Sequence, residues 1–62
     1  MRVVYEVKES FMYEGDFFAE GEVFTLMMMT SEQVKIGAVE QENEINYSLP
    51  FKIFNKYFSI KG

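Results

Sequence analysis

The chain has 62 residues, a formal net charge of −4, and neither cysteine nor histidine. This length allows a single domain, residues 1–62, and the 48% apolar and 18% aromatic fractions are typical of a chain that folds. Without thiols or imidazoles, disulfides, Cys/His zinc sites and Ser-His-Asp or thiol catalysis are excluded. We therefore expect no enzyme, no metal and no cofactor. The absence of cysteine and of an apolar run near the ~20 residues that span a bilayer indicates a cytoplasmic protein without a membrane segment.

Alternating β-forming residues predict a first strand over residues 2–8. Residues 9–22 follow no period, and two glycines beside acidic residues in this stretch indicate turns. We expect a hairpin-like excursion from the body rather than disorder. Four aromatic side chains in it should fold back on the rest of the domain: Phe11, Tyr13, Phe17 and Phe18.

Two further strands, residues 23–29 and 33–39, are predicted to form a hairpin. The β-forming start of the first segment and the polar turn after it favour a strand over a helix. Gly37 lies in the middle of the second strand, which indicates a bulge, a bend or a close backbone approach. Residues 40–44 are rich in glutamate and predict a solvated turn.

The last third of the chain changes period. Apolar and polar residues alternate over 45–49, which predicts a fourth strand, and Pro50 ends it because proline cannot donate to a ladder. Two phenylalanines three residues apart then predict one short 3₁₀ or α turn within residues 50–56. Residues 57–60 close the domain as a short last strand.

These elements predict an all-β fold, a small five-stranded SH3-like barrel with one short 3₁₀ or α turn before the last strand. Curling buries one face of a small sheet and reduces its free edges. An OB-fold also has five strands, but it usually places its helix between strands three and four, where only a short turn is present here. The predicted core is Val3, Tyr5, Val7, Phe18, Phe24, Leu26, Met28, Val34, Ile36, Ala38, Ile45, Tyr47, Leu49, Phe54 and Phe58.

Two segments carry a resemblance to known proteins. Residues 18–26, Phe-Ala-Glu-Gly-Glu-Val-Phe-Thr-Leu, resemble the F-x-x-G-[DE]-x-F-x-L start of the second strand in many small SH3-like barrels. Residues 50–58, Pro-Phe-Lys-Ile-Phe-Asn-Lys-Tyr-Phe, resemble the ending of short uncharacterised proteins of phages and mobile elements. The resemblance implies a fold more than a function. The chain has no tryptophan and no Ala-Leu-Tyr-Asp-Tyr-like stretch, which argues against recognition of proline-rich helices.

Consecutive methionines in the second strand predict an apolar stripe on its outer face. If Met28 points inward, the alternation of a strand directs Val23, Met27 and Met29 outward, and Val39 extends the same surface. An exposed apolar stripe on a small protein is typical of a contact with a partner or with a second copy. The alternative is that aromatic side chains of the 9–22 loop cover the stripe.

Charge is unevenly distributed along the chain. Residues 1–44 contain all ten acidic residues and three basic ones, whereas residues 45–62 contain three lysines and no acid. Four acids lie within nine residues and predict an acidic surface for a basic partner, such as the nucleic-acid-binding site of a host protein: Glu14, Asp16, Glu20 and Glu22. Ordinary surface charge that keeps the domain in solution is the alternative interpretation.

The opposite alternative is direct binding of nucleic acid. Small barrels stack bases on aromatic side chains beside a basic groove, and Lys52, Lys56 and Tyr57 could supply a minimal version of such a site. The net charge of −4 repels phosphate, and few lysines release few counterions, so the sequence disfavours this partner.

The sequence therefore predicts a small non-enzymatic binding module, of phage or mobile-element type, that acts through protein-protein contacts. It would modulate a host protein or assemble with itself as a homo-oligomer. A nucleic-acid-binding barrel and an accessory structural subunit of a larger assembly stay open as alternatives.

Overall fold

The computed structural model describes residues 2–61 and shows a mostly β molecule with one helix. The predicted all-β class and the predicted order of elements are confirmed, and the 9–22 segment forms a hairpin of its own. The elements are β1 (Val4–Val7), β2 (Phe11–Tyr13), β3 (Asp16–Phe18), β4 (Val23–Met29), β5 (Gln33–Ala38), β6 (Asn46–Pro50), α1 (Phe51–Tyr57) and β7 (Phe58–Ile60).

Five strands form one sheet in the order β6-β5-β4-β1-β7, and every neighbouring pair is antiparallel. Strands β2 and β3 form a separate two-stranded sheet. Strands β6 and β7 lie at the two edges of the larger sheet, and within residues 2–61 no ladder joins them. The described sheet is therefore open, and the predicted closure into a barrel is not seen.

The β2–β3 hairpin covers the inner face of the five-stranded sheet through its aromatic side chains. The Phe11 ring stacks on the Phe18 ring with centroids 4.8 Å apart, and on the Tyr57 ring at 4.3 Å. Such ring pairs add to the stabilisation from burial. The core gathers the apolar residues that are almost fully buried: Val7, Phe11, Phe18, Phe24, Val34, Ile36, Leu49, Phe54 and Phe58.

A β-bulge in β4 overturns the predicted position of Met28. Leu26 pairs with Ile36, but Met28 pairs with Lys35, so Met27 is an extra residue in the ladder. Because side chains alternate across a strand, one extra residue exchanges the faces of everything after it. Met28 is consequently 50% exposed instead of buried.

Two other predicted core residues, Val3 and Ile45, are also exposed, and the reason is the position of strand ends. Val3 precedes the first residue of β1, and Ile45 lies in the turn before β6. The alternation of apolar and polar residues in the sequence extends beyond the residues whose backbone pairs in the sheet, so it assigned these two side chains to the core wrongly. Conversely, Phe11 is buried although the predicted core omitted it.

Gly37, for which the sequence left open a bulge, a bend or a close backbone approach, lies directly under two side chains. A Cβ atom at this residue would lie 2.9 Å from Cβ and Cγ of Glu42 and from Sδ of Met27. The 39–45 turn is therefore folded over the outer face of β5. The turn expected to be fully solvated has one side chain, that of Glu42, packed against the sheet.

Helix α1 is a short α-helix that begins immediately after Pro50 and ends where Phe58 becomes extended. The amide of Phe58 donates to the carbonyl oxygen of Phe54, which closes the last turn. Phe54 is the buried residue of the helix, and its ring stacks on that of Phe58 with centroids 4.9 Å apart. No helix within residues 2–61 has the length and apolar character needed to cross a membrane.

Candidate protein-binding groove

Two neighbouring concavities open between the β2–β3 hairpin and strands β4 to β6. The first has a volume of about 300 Å³ and lies between the tip of the hairpin and β6. The second has a volume of about 330 Å³ and lies between β3 and the β4–β5 region. Phe18 and Tyr47 line both, so the two concavities adjoin at these side chains and are described together as one surface region. We call this surface the acidic groove, and its principal lining residues are Tyr13, Glu14, Asp16, Phe17, Glu22 and Tyr47.

A two-residue turn positions the acidic end of the groove. Glu14 and Gly15 both have positive φ angles, 49° and 87°, and Tyr13 pairs with Asp16 across them. Two consecutive positive φ values are typical of the tight hairpin turn that matches strand twist. The turn brings the carboxylates of Glu14 and Asp16 to the wall of the first concavity.

Tyr13 shows how the acidic end affects its surroundings. Partial burial raises the pKa of the Tyr13 hydroxyl above its ordinary value. The negative charge of the neighbouring Glu14 carboxylate and a hydrogen bond to it raise that pKa further. With an ordinary pKa of 10.0, the Tyr13 hydroxyl is in any case protonated at neutral pH and can donate a hydrogen bond beside the carboxylates.

The four predicted acidic residues separate into two groups in the structure. Glu14 and Asp16 line the first concavity, and Glu22 lines the second. The Glu22 carboxylate also accepts a 2.8 Å hydrogen bond from the Ala19 amide, which fixes it in place. Glu20 does not line the groove, and its amide donates to Ser10 Oγ at 2.8 Å.

Phe17 is the most exposed of the large apolar residues that line the groove. It was expected to fold back on the body, but its side chain is 62% exposed at the rim of the second concavity. Its partner across the hairpin, Met12, is likewise exposed, because both lie on the side of the hairpin opposite the buried Phe11 and Phe18 pair. An exposed aromatic ring at a groove rim is available to a ligand.

The predicted methionine stripe does not form one continuous surface. Met27 lies at the bulge, on the outer face over Gly37, and Met28 is exposed on that face as well. Met29 pairs instead with the buried Val34, so its side chain lies on the inner face of the sheet, where it is still exposed. The β2–β3 hairpin covers the inner face and leaves all three methionines exposed.

The two flanking members of the stripe lie apart from the methionines. Val23 lines the second concavity of the acidic groove. Val39 is half-buried in the turn after β5. The structure thus places Val23 beside Glu22 in the second concavity and apart from the methionines.

The Glu42 carboxylate occupies the outer face beside the bulge. It accepts a 3.2 Å hydrogen bond from the Glu40 amide. Thr25 Oγ1 is buried there and, among residues 2–61, has no partner in full hydrogen-bonding geometry; the carboxylate is the acceptor that it faces. The nearby Thr25 hydroxyl, then the amide of Glu42 itself, lowers the pKa of Glu42. Burial opposes this shift, and the Glu40 amide and the positive charge of Arg2 add to it. The mid-strand Gly37 is the sequence signal that could have revealed this contact.

The residues of the nucleic-acid alternative lie on α1. Lys52 and Lys56 are exposed, whereas the Tyr57 ring is half-buried. Phe11 stacks on that ring, and the Lys56 ammonium lies over it, 5.2 Å from its centroid. A nucleobase would have to displace these contacts before it could stack on Tyr57.

Comparison of the chain with protein-family models, curated proteins and solved structures finds no match.

Proposed function

We propose that this protein is a small binding module that holds a basic, partly apolar segment of a partner protein in the acidic groove. The observation that carries the proposal is the exposed Phe17 ring at the rim of the second concavity, which Glu22 also lines, next to a first concavity lined by Glu14 and Asp16. Aromatic anchors and complementary charge are the usual components of a specific protein interface.

Each component of the groove has a distinct part in this proposal. Phe17 and Tyr47 provide apolar contact area, and an arginine or lysine side chain gains from lying over such rings. The carboxylates steer the approach of a basic partner and fix its register. The two concavities described within residues 2–61 are half-open rather than enclosed, a shape that suits a peptide or protein surface better than a small molecule.

The fold that we propose for this module is of the SH3-like type. Its support is the strand order β6-β5-β4-β1-β7, the hairpin inserted between β1 and β4, and the helix immediately before the last strand. The likeness of residues 50–58 to short phage and mobile-element proteins leads us to propose that the partner is a host protein of the cytoplasm. Binding would then modulate that protein.

Selection from a library of random peptides displayed on filamentous phage tests the proposal. We expect the purified domain to enrich sequences that combine lysine or arginine with apolar residues. Phe17→Ala should lower the affinity of the domain for the selected peptides by about tenfold, because truncation of an anchor residue costs more than about 1 kcal/mol of binding free energy. Ile60→Ala is the matched control, because Ile60 is 63% exposed but lies on β7, away from the groove.

The charge component has its own control. Glu14→Gln combined with Asp16→Asn should weaken binding and reduce its salt dependence. Glu9→Gln combined with Glu32→Gln removes the same charge outside the groove and should have little effect. Enrichment of acidic or uncharged peptides, or equal loss in both double variants, would contradict the proposal. Light scattering on the same samples measures self-association, the competing use of the exposed methionines.

A further inference from the structure

Strand β6 has one free edge, and this edge forms a wall of the acidic groove. Within residues 2–61, β6 pairs with β5 on one side and with no strand on the other. The first concavity is lined by Asn46, Tyr47, Ser48 and Leu49 from β6, opposite the tip of the β2–β3 hairpin. A backbone edge with hydrogen-bonding capacity therefore faces the carboxylates across the groove.

The hydrogen bonds at the two ends of β6 show which of its backbone groups are free. The Ala38 amide donates to the Ile45 carbonyl at 2.9 Å, and the Phe51 amide donates to the Glu32 carbonyl at 2.9 Å. Both of these hydrogen bonds join odd-numbered residues, Ile45 and Phe51, to β5 or to the residue before it. Because bonded pairs alternate with non-bonded pairs in an antiparallel ladder, the odd-numbered residues between them also bond to β5. The amide and carbonyl groups of Asn46 and Ser48 consequently point away from β5, towards the groove.

Natural proteins usually protect a free edge, and β6 is only partly protected. Pro50 lacks an amide and ends the usable edge, but no lysine lies within the strand. The opposite edge strand, β7, has only three residues and is followed directly by Lys61. Of the two edges, β6 is therefore the better template for an added strand.

We propose that an extended, lysine- or arginine-bearing segment of a partner binds as an additional strand along β6, with hydrogen bonds to Asn46 and Ser48 and basic side chains towards Glu14 and Asp16. This inference rests on the proposed function and specifies how the groove holds its ligand. Strand addition takes affinity from main-chain bonds and selectivity from alternate side chains.

Charge decides between a basic partner and a second copy of the chain. Two copies joined through their β6 edges would bring the carboxylates of Glu14 and Asp16 of both copies to the same junction. Like charges at a junction oppose pairing, whereas a basic strand neutralises them. The edge is therefore assigned to a basic partner.

The probe is a capped hexapeptide of alternating lysine and valine, titrated into the isotopically labelled wild-type domain with amide hydrogen exchange as the readout. At saturating peptide we expect exchange at the Asn46 and Ser48 amides to slow by about tenfold or more. The Ile60 amide is the matched control, since hydrogen bonds at Lys61 and Lys8 show that it faces the free edge of β7. Its exchange should not change.

N-methylated versions of the hexapeptide separate strand addition from other binding in the groove. Only one alternating set of peptide amides can face β6, so methylation of that set should abolish binding and methylation of the other set should not. Equal effects of the two sets, or unchanged exchange at Asn46 and Ser48, would overturn strand addition.

The same titration distinguishes failure of strand addition from failure of the proposed function. The hexapeptide could bind with an affinity that falls in the Glu14→Gln and Asp16→Asn variant, while the β6 amides of the wild type stay unprotected from exchange. In that case the groove binds basic ligands, but not as an added strand. If neither this peptide nor the methylated peptides bind at millimolar concentration, both the strand addition and the charge-complementary groove are wrong.

Discussion

At the scale of single residues, Gly37 and Glu42 explain why the outer face of the sheet is not simply solvated. The missing side chain at Gly37 leaves space that the stem of Glu42 and the sulfur of Met27 occupy. The Glu42 carboxylate is then held by the Glu40 amide and faces the buried Thr25 hydroxyl. A glycine in one strand thus determines the conformation of the turn that follows it.

This contact predicts a stability loss in acid. The folded state lowers the pKa of Glu42 below its ordinary value of 4.5, so the folded state favours the ionised carboxylate. The resulting stabilisation is fully present above pH 4.5 and is lost as the pH falls through the lowered pKa. Urea unfolding between pH 6 and pH 3 should show this decline in the wild type and a smaller decline in Glu42→Gln.

Glu44→Gln is the control for this measurement, because Glu44 is exposed in the same turn. It should keep the wild-type decline in unfolding free energy below pH 4.5. If Glu42→Gln and Glu44→Gln change the acid dependence equally, the contact between Glu42 and the outer face does not contribute to stability.

At the scale of elements, period-2 patterns predicted where strands lie better than which way their side chains point. The seven residues of β4 were predicted with the observed bounds, yet the bulge at Met27 exchanged the faces of Met28 and Met29. No residue type in a run of three methionines marks the extra one. At the bulge Met27 lies over Gly37 of the neighbouring strand, a contact that a pattern along one strand does not contain.

The β2–β3 hairpin depends on its own inner side chains for docking. Phe11 is buried and contacts the rings of Phe18, Tyr57 and Phe58, whereas Met12 in the same strand is 69% exposed. We expect Phe11→Ala to lower the unfolding free energy by about 3–5 kcal/mol and to increase proteolysis within residues 9–22.

Met12→Ala in the same strand should change the unfolding free energy by less than about 0.5 kcal/mol. Urea denaturation and limited proteolysis of the two variants provide the comparison. Equal stability of the two would mean that the hairpin folds independently of the sheet.

At the scale of the whole molecule, the sequence predicted the ingredients of the groove but not their arrangement. The density of acids predicted one patch around the loop, whereas Glu14 and Asp16 line the first concavity, Glu22 lines the second and Glu20 lines neither. The contribution of β6 could not be predicted, since it comes from a strand about thirty residues later in the chain. Long-range proximity depends on sheet order, and sheet order is not visible in local periodicity.

The small size of the molecule limits its free energy of unfolding, and therefore the core substitutions that it can tolerate. A 62-residue domain has a stability of about 3–9 kcal/mol, and this chain has no cysteine with which to form a disulfide. Phe24 is buried, and its ring lies about 6 Å from those of Phe18, Tyr47 and Phe58. Truncation of a buried phenylalanine costs about 3–5 kcal/mol, so Phe24→Ala should lose much of this stability and melt far below the wild type by circular dichroism.

The same substitution at Phe17 separates a core role from a binding role. Phe17 is as large as Phe24 but mostly exposed, so Phe17→Ala should melt close to the wild type while it weakens ligand binding. Because each variant removes an identical side chain, a difference in melting can come only from position. A cooperative melt for Phe24→Ala near the wild-type temperature would show that the inner face of β4 is not the core, and the groove built on that face would then have no support.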